Sequence, residues 1–99
     1  MKLVWTQWAL EDRRAIFDYI EADDPHAAVM VDERIAAATG RLIDFPHSGR
    51  PGRVEDTREL VITRTPYIAP YRVEGDVVRI LRVIHGARIW PDIIPDENR

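Results

Sequence analysis

The sequence predicts an α+β domain with the order β-α-α-β-β-β, a helical hairpin packed on a small antiparallel sheet. Three observations carry this reading. Ala28, Val31, Ile35, Ala38, Leu42 and Phe45 recur at alternating steps of three and four, the spacing of a helix face set against a second helix. Tyr67, Ala69, Tyr71 and Val73 share one face of an alternating run, with Arg72 on the other. Gly75-Asp76 follows directly, before the β-branched run Val77 to Ile84, and marks a tight hairpin. The 99 residues leave room for one core, so a single domain is expected over 1–99, with 92–99 as an acidic, flexible tail.

Each element has a local cause. Leu3-Val4-Trp5 is a short apolar strand closed by Thr6, which is placed to cap a helix running to about Ala22. In that helix Ala9, Ile16 and Ile20 form the inner stripe, with Leu10 and Phe17 beside it. Trp5 and Trp8 flank its start, where one of them staples the chain to the core. Asp23-Asp24-Pro25 ends it; Asp24 is suited to cap a second helix and Pro25 to its first position. So short a link makes the two helices a hairpin. Pro46-His47-Ser48-Gly49-Arg50-Pro51-Gly52-Arg53 reads as loop. Three strands follow, over 57–63, 67–74 and 77–84. Pro70 inside the second lacks an N–H, which predicts an edge position or a bulge.

Composition excludes several classes. With no cysteine there is no disulfide framework, thiolate metal site or cysteine nucleophile. No apolar run approaches the roughly 18 residues of a membrane span. The start Met1-Lys2-Leu3-Val4-Trp5 lacks the apolar core of a secretory signal, so a cytoplasmic location and no membrane partner are expected. The net charge of −3 hides an asymmetry. Residues 1–48 hold five basic and nine acidic side chains, net −4; residues 49–91 hold eight arginines and five acids, net +3. Arg50, Arg53, Arg58, Arg64, Arg72, Arg79, Arg82 and Arg88 therefore predict an anionic partner, for which an acidic protein segment serves as well as nucleic acid.

Catalytic patterns are sparse. There is no phosphate-binding glycine loop, no HExxH and no serine elbow. The lone serine, Ser48, is a turn former between proline and glycine. His26, His47 and His85 occupy three separate contexts and do not have metal-ligand spacing; neither metal nor cofactor is expected. His85 ends the last strand beside Arg88, one hairpin from Arg72. Such a set can cleave RNA without metal, the histidine moving protons and the arginines stabilising the phosphorane. The bland alternative is a strand-terminal histidine bonded to loop backbone. Trp90 is either a lid on the core or an interaction anchor.

The ordered phrases Ala9…Asp12…Ile16…Tyr19-Ile20, Asp24-Pro25…Ala27-Ala28 and Leu42…Phe45-Pro46…Gly49-Arg50-Pro51-Gly52-Arg53 resemble the RelE/ParE superfamily of toxins from bacterial type II toxin–antitoxin modules. The likeness continues through Thr57-Arg58-Glu59-Leu60, Pro66-Tyr67-Ile68…Tyr71-Arg72-Val73 and Ile80-Leu81-Arg82-Val83-Ile84-His85-Gly86-Ala87-Arg88…Trp90-Pro91. The resemblance implies a toxin neutralised by a cognate antitoxin, ParD-like or RelB-like, encoded in an adjacent gene, with operator DNA reached only through that antitoxin. It also implies one of two targets: ribosome-bound mRNA, cut by RelE-like members, or DNA gyrase, poisoned by ParE-like members. Lys2 is the only lysine, no tyrosine follows Tyr71, and His85 is followed by glycine; these departures favour the ParE-like branch, with no catalytic residue. On that reading Arg88 and Trp90 meet the target, while Leu10, Phe17, Arg72, Arg79 and Arg82 meet the antitoxin. If the chain is a nuclease, Arg72, His85 and Arg88, with Glu59 nearby, form the site. A third reading is a non-toxic member acting mainly in a repressor complex.

Overall fold

The computed structural model describes residues 1–87. Strand β1 (Lys2–Trp5) leads into helix α1 (Gln7–Glu21) and helix α2 (Pro25–Gly40), which runs into a single 3₁₀ turn (Arg41–Ile43). Strands β2 (Arg50–Pro51), β3 (Arg58–Val61), β4 (Tyr67–Glu74), β5 (Val77–Ile80) and β6 (Ile84–His85) follow. Both expected caps form. The Thr6 hydroxyl accepts from the Ala9 N–H at 3.1 Å and donates to the Leu81 carbonyl at 2.8 Å, tying helix start to sheet. Asp24 accepts from the Ala27 N–H at 3.1 Å, with Pro25 at the first helical position.

The sheet order is β1-β5-β4-β3-β2, with β6 also paired to β4. β3, β4 and β5 make the expected antiparallel meander, and Gly75, at φ 61°, begins the two-residue turn between Glu74 and Val77. β1, however, joins β5 in parallel, Lys2 opposite Val77 and Trp5 opposite Ile80. The sheet is therefore mixed rather than wholly antiparallel. Two helices separate β1 from the meander, and a crossover of that length permits the parallel pairing a hairpin forbids.

The helical hairpin covers one sheet face. Ala9, Ile35, Ala38 and Leu42 are buried against Ile62, Ala69, Tyr71, Val78, Ile80 and Val83. The seam of α2 holds from Ala28 to Leu42 and fails at Phe45, which is 64% exposed. The helix ends at Gly40 and the 3₁₀ turn changes the angular step, so a residue in register with the seam by count is rotated out of it.

The expected third strand over 77–84 is broken. β5 stops at Ile80 and β6 resumes at Ile84, with Leu81, Arg82 and Val83 set against only Pro70 and Ala69. Pro70 has no N–H to offer the neighbouring strand, and its carbonyl accepts from both Leu81 at 2.9 Å and Arg82 at 3.5 Å. One extra residue on the facing strand is a bulge, as the proline predicts.

Candidate functional site

The bulge turns Arg82 towards α1. Its guanidinium donates to both carboxylate oxygens of Asp12, at 2.6 and 2.8 Å, and the Val83 N–H freed from the ladder donates to the same carboxylate at 3.0 Å. Both side chains are mostly buried. Its hydrogen bonds to Asp12 raise Arg82 above its already high pKa; burial opposes this, and the charges of Asp12 and Glu11 add to it. Arg82, expected at the antitoxin contact, thus clamps sheet to helix through Asp12. Sequence reading gave Asp12 no role, because its partner lies seventy residues away and meets it only through the bulge.

Three more of the expected cationic residues work inside the fold. Arg50 donates to the Glu59 carboxylate at 3.0 and 3.2 Å, and the Arg53 backbone N–H reaches its other oxygen at 3.1 Å. Glu59 is 2% exposed, and these bonds hold a buried charge that would otherwise be costly. Arg58 donates to the carbonyls of His47 and Gly49 at 3.1 and 2.8 Å. Tyr71 completes the loop anchor: its hydroxyl donates to the Pro46 carbonyl at 2.7 Å and accepts from the Gly49 N–H at 2.9 Å. A β-carbon at Gly49 would stand 2.6 Å from the Tyr71 ring, so glycine is required there. Arg79 pairs with Glu74 at 2.9 Å near the surface.

The residues of the nuclease reading do not converge. Arg72 lies opposite Arg79 on the sheet face away from the helices, as does Glu59, which pairs with Pro70 in register. His85 lies opposite Tyr67 on the other face, and the two rings meet edge to face with centroids 6.1 Å apart. Five β4 positions separate Tyr67 from Arg72, about 17 Å along a strand. The Ala87 N–H donates to His85 Nδ1 at 3.2 Å, the loop-bonded histidine of the bland alternative. Arg88 and Trp90, and the tail over 92–99, fall outside the described residues.

Two grooves flank α1. One, of about 440 Å³, runs between the helices and brings Leu10 and Phe17 together with Arg13, Arg14, Asp18 and Asp32. Arg13 bonds Asp32 at 2.6 and 3.0 Å across the hairpin and lies 5.2 Å over the Trp5 ring, which fixes the groove floor. Leu10 is 52% exposed and Phe17 half-buried, so both expected antitoxin contacts are accessible. The other groove, of about 240 Å³, gathers Tyr19, Tyr67 and His85 at the sheet end. Tyr19, 80% exposed, has no such role in the sequence reading, although it sits three residues from Ile16 on the inner stripe. Among the described residues no group of three potential ligands could hold a metal, and no helix is long and apolar enough to cross a membrane.

A helical hairpin packed on a mixed sheet, with an open groove on the hairpin, defines a small α+β fold. The sequence model of one family, described as the ParE toxin of the type II toxin–antitoxin system parDE, matches residues 3–90, and the chain belongs to that family. The candidate toxin Y4kP of Sinorhizobium fredii is 47% identical over 93 residues, covering 94% of this chain and 96% of its own. Toxin RelE2 of Caulobacter vibrioides is 39% identical over 88 residues, covering 89% and 98%. The chromosomal ParDE toxin–antitoxin system from P. aeruginosa contains a chain of the same fold, with a TM-score of 0.79 and 33% identity over 86% of this chain and 95% of that one.

Proposed function

We propose that this toxin acts by binding DNA gyrase, in the cytoplasm, and that a ParD-like antitoxin from an adjacent gene holds it inactive. The observation that carries the target choice is the separation of Arg72 from His85. A general acid or base works within hydrogen-bond reach of its proton or through one water, and a phosphate-binding arginine must meet the same phosphate. Residues on opposite sheet faces, about 17 Å apart along the strand, do not meet that condition. Membership of the ParE toxin family supports the same choice. Target contact is assigned to Arg88 and Trp90. The antitoxin would place apolar anchors against Leu10 and Phe17 in the hairpin groove and bring acids to Arg72 and Arg79 on the sheet; operator DNA would be reached only through it.

The test uses purified chain with gyrase and, separately, with translating ribosomes. The expected result is loss of supercoiling activity with ribosome-bound mRNA intact. Cleavage of mRNA in the ribosomal A site without gyrase inhibition would overturn the reading and install the RelE-like ribonuclease. Inactivity in both assays, with tight antitoxin binding retained, would point to a member that serves only in the repressor complex.

A further inference from the structure

Leu10 and Phe17 stand seven residues apart on α1, about 10.5 Å along one side of the helix. Arg13 and Arg14 lie between them and line the same groove. Arg13 spends its Nε and one Nη2 N–H on Asp32, at 2.6 and 3.0 Å, and rests over the Trp5 ring. Its plane is therefore set before any partner arrives. A guanidinium carries five N–H donors and accepts nothing. The two on Nη1 take no bond among the described residues, and the side chain is 27% exposed. Arg14 is exposed beside it and has no ion-pair partner among the described residues. Asp32 is already engaged by Arg13, and Asp18 lies one residue beyond Phe17, so the middle of the groove carries the unbalanced positive charge.

We propose that Arg13 is a specificity-determining residue of this groove: its Nη1 binds a carboxylate that a helix of the antitoxin carries between two apolar side chains. This rests on the antitoxin occupying the hairpin groove, as proposed above, and names the chemistry it must bring there. Spare donors call for an acceptor, and the unbalanced charge of Arg14 makes that acceptor an anion. The spacing of the apolar walls selects a helix. Positions i and i+7 of a helix share a face about 10.5 Å apart, the separation of Leu10 and Phe17. Same-face positions of a strand fall about 6.6 or 13 Å apart and miss one wall or the other. The recognised pattern is therefore apolar at i and i+7, with Asp or Glu at i+3 or i+4. Asp32 and Trp5 hold the guanidinium in place, so little freedom is lost when the carboxylate arrives. Leu10 and Phe17 on either side keep water from the new bond, which strengthens it.

Double-mutant cycles by titration calorimetry test it, with the antitoxin from the adjacent gene as the probe. Each Asp and Glu of the antitoxin is changed to Asn or Gln and measured against the native chain and against Arg13→Lys. Lysine keeps a charge opposite Asp32 but loses the planar fork and its spare donors. Arg13→Lys should weaken binding about tenfold. One acid, set between apolar residues seven apart, should cost as much against the native chain and almost nothing further against Arg13→Lys. A merely structural Arg13 would weaken every antitoxin variant by the same factor, and that result overturns the proposal. Coupling to an acid outside the pattern overturns it too. Should Arg13→Lys melt early, Arg14→Gln, on the surface and unbonded, takes its place: the same acid should couple to it, and absence of coupling overturns the proposal. Leu10→Glu keeps the two readings apart. If it leaves affinity unchanged, the antitoxin does not use the groove and both fall; if it weakens binding while no acid couples, only the role of Arg13 falls.

Discussion

At the scale of single residues, Tyr71 and Asp12 each tie together parts of the chain far apart in sequence. Tyr71→Phe leaves the Gly49 N–H and the Pro46 carbonyl without partners, at a cost of about 1–3 kcal/mol measurable by urea titration. Burial raises the Tyr71 pKa above its ordinary 10, and the Gly49 N–H and the Arg58 charge only partly offset this. A raised pKa means that the folded state holds the proton more tightly than the unfolded state. That stability is complete below pH 10 and is lost as pH rises through the folded value. Melting temperature should therefore fall above about pH 10, and Tyr71→Phe should flatten part of the fall. Tyr67, raised by burial and then by neighbouring Tyr19, accounts for more of it. Asp12→Ala takes the carboxylate away from a mostly buried Arg82 and should cost about 3 kcal/mol, the penalty for removing one partner of a buried pair. An unchanged melting temperature would show that the clamp is not maintained in solution.

At the scale of elements, α2 discriminates between two substitutions that the sequence alone would rank together. Ala38, 4% exposed, faces the sheet, and Ala38→Asp should cost several kcal/mol, because a carboxylate there has no partner. A domain with about 5–15 kcal/mol to lose should then express poorly in soluble form. Phe45→Ser, in nominally the same seam, should shift stability by no more than about 0.5 kcal/mol, since the side chain lies outside it. Equal losses from both would mean that the helix continues past Gly40 with the seam intact. The strands obey the same logic: Pro70 creates the bulge, and the bulge releases Arg82 and the Val83 N–H to reach Asp12.

At the scale of the whole molecule, the arginine-rich second half is less available to a partner than its charge suggests. Arg50, Arg58, Arg79 and Arg82 each bind an internal acid or carbonyl, and the Arg53 backbone joins the loop anchor. Partner binding should then lean on apolar anchors, with the sheet charges acting mainly on approach. Leu10→Glu should speed dissociation from the antitoxin about tenfold or more, whereas Arg79→Ala should slow association and lower its salt dependence. Surface plasmon resonance at two ionic strengths separates these effects. If Arg79→Ala leaves both the association rate and the salt slope unchanged, the sheet face does not receive the antitoxin.

Local rules determined much of this protein. Thr6 and Asp24 cap helices because a side-chain oxygen satisfies an N–H two or three residues on, a contact wholly within the chain's own neighbourhood. The seam from Ala28 to Leu42 and the face shared by Tyr67 to Val73 follow from the periods of helix and strand, and Pro70 announces its bulge by what it lacks. The family, too, was legible in the order of short phrases. Tertiary structure decided the rest, and every such feature depends on residues far apart in the chain. The parallel placement of β1 needs the whole helical hairpin as a crossover. The pairing of Asp12 with Arg82 and the burial of Glu59 depend on where the bulge and the loop bring their partners. Arg72 and His85 lie on strands joined by a single hairpin, and only the sheet register, shifted by the bulge, places them on opposite faces. Charge, periodicity and spacing describe what a residue can do, while the packed sheet determines which residue it meets.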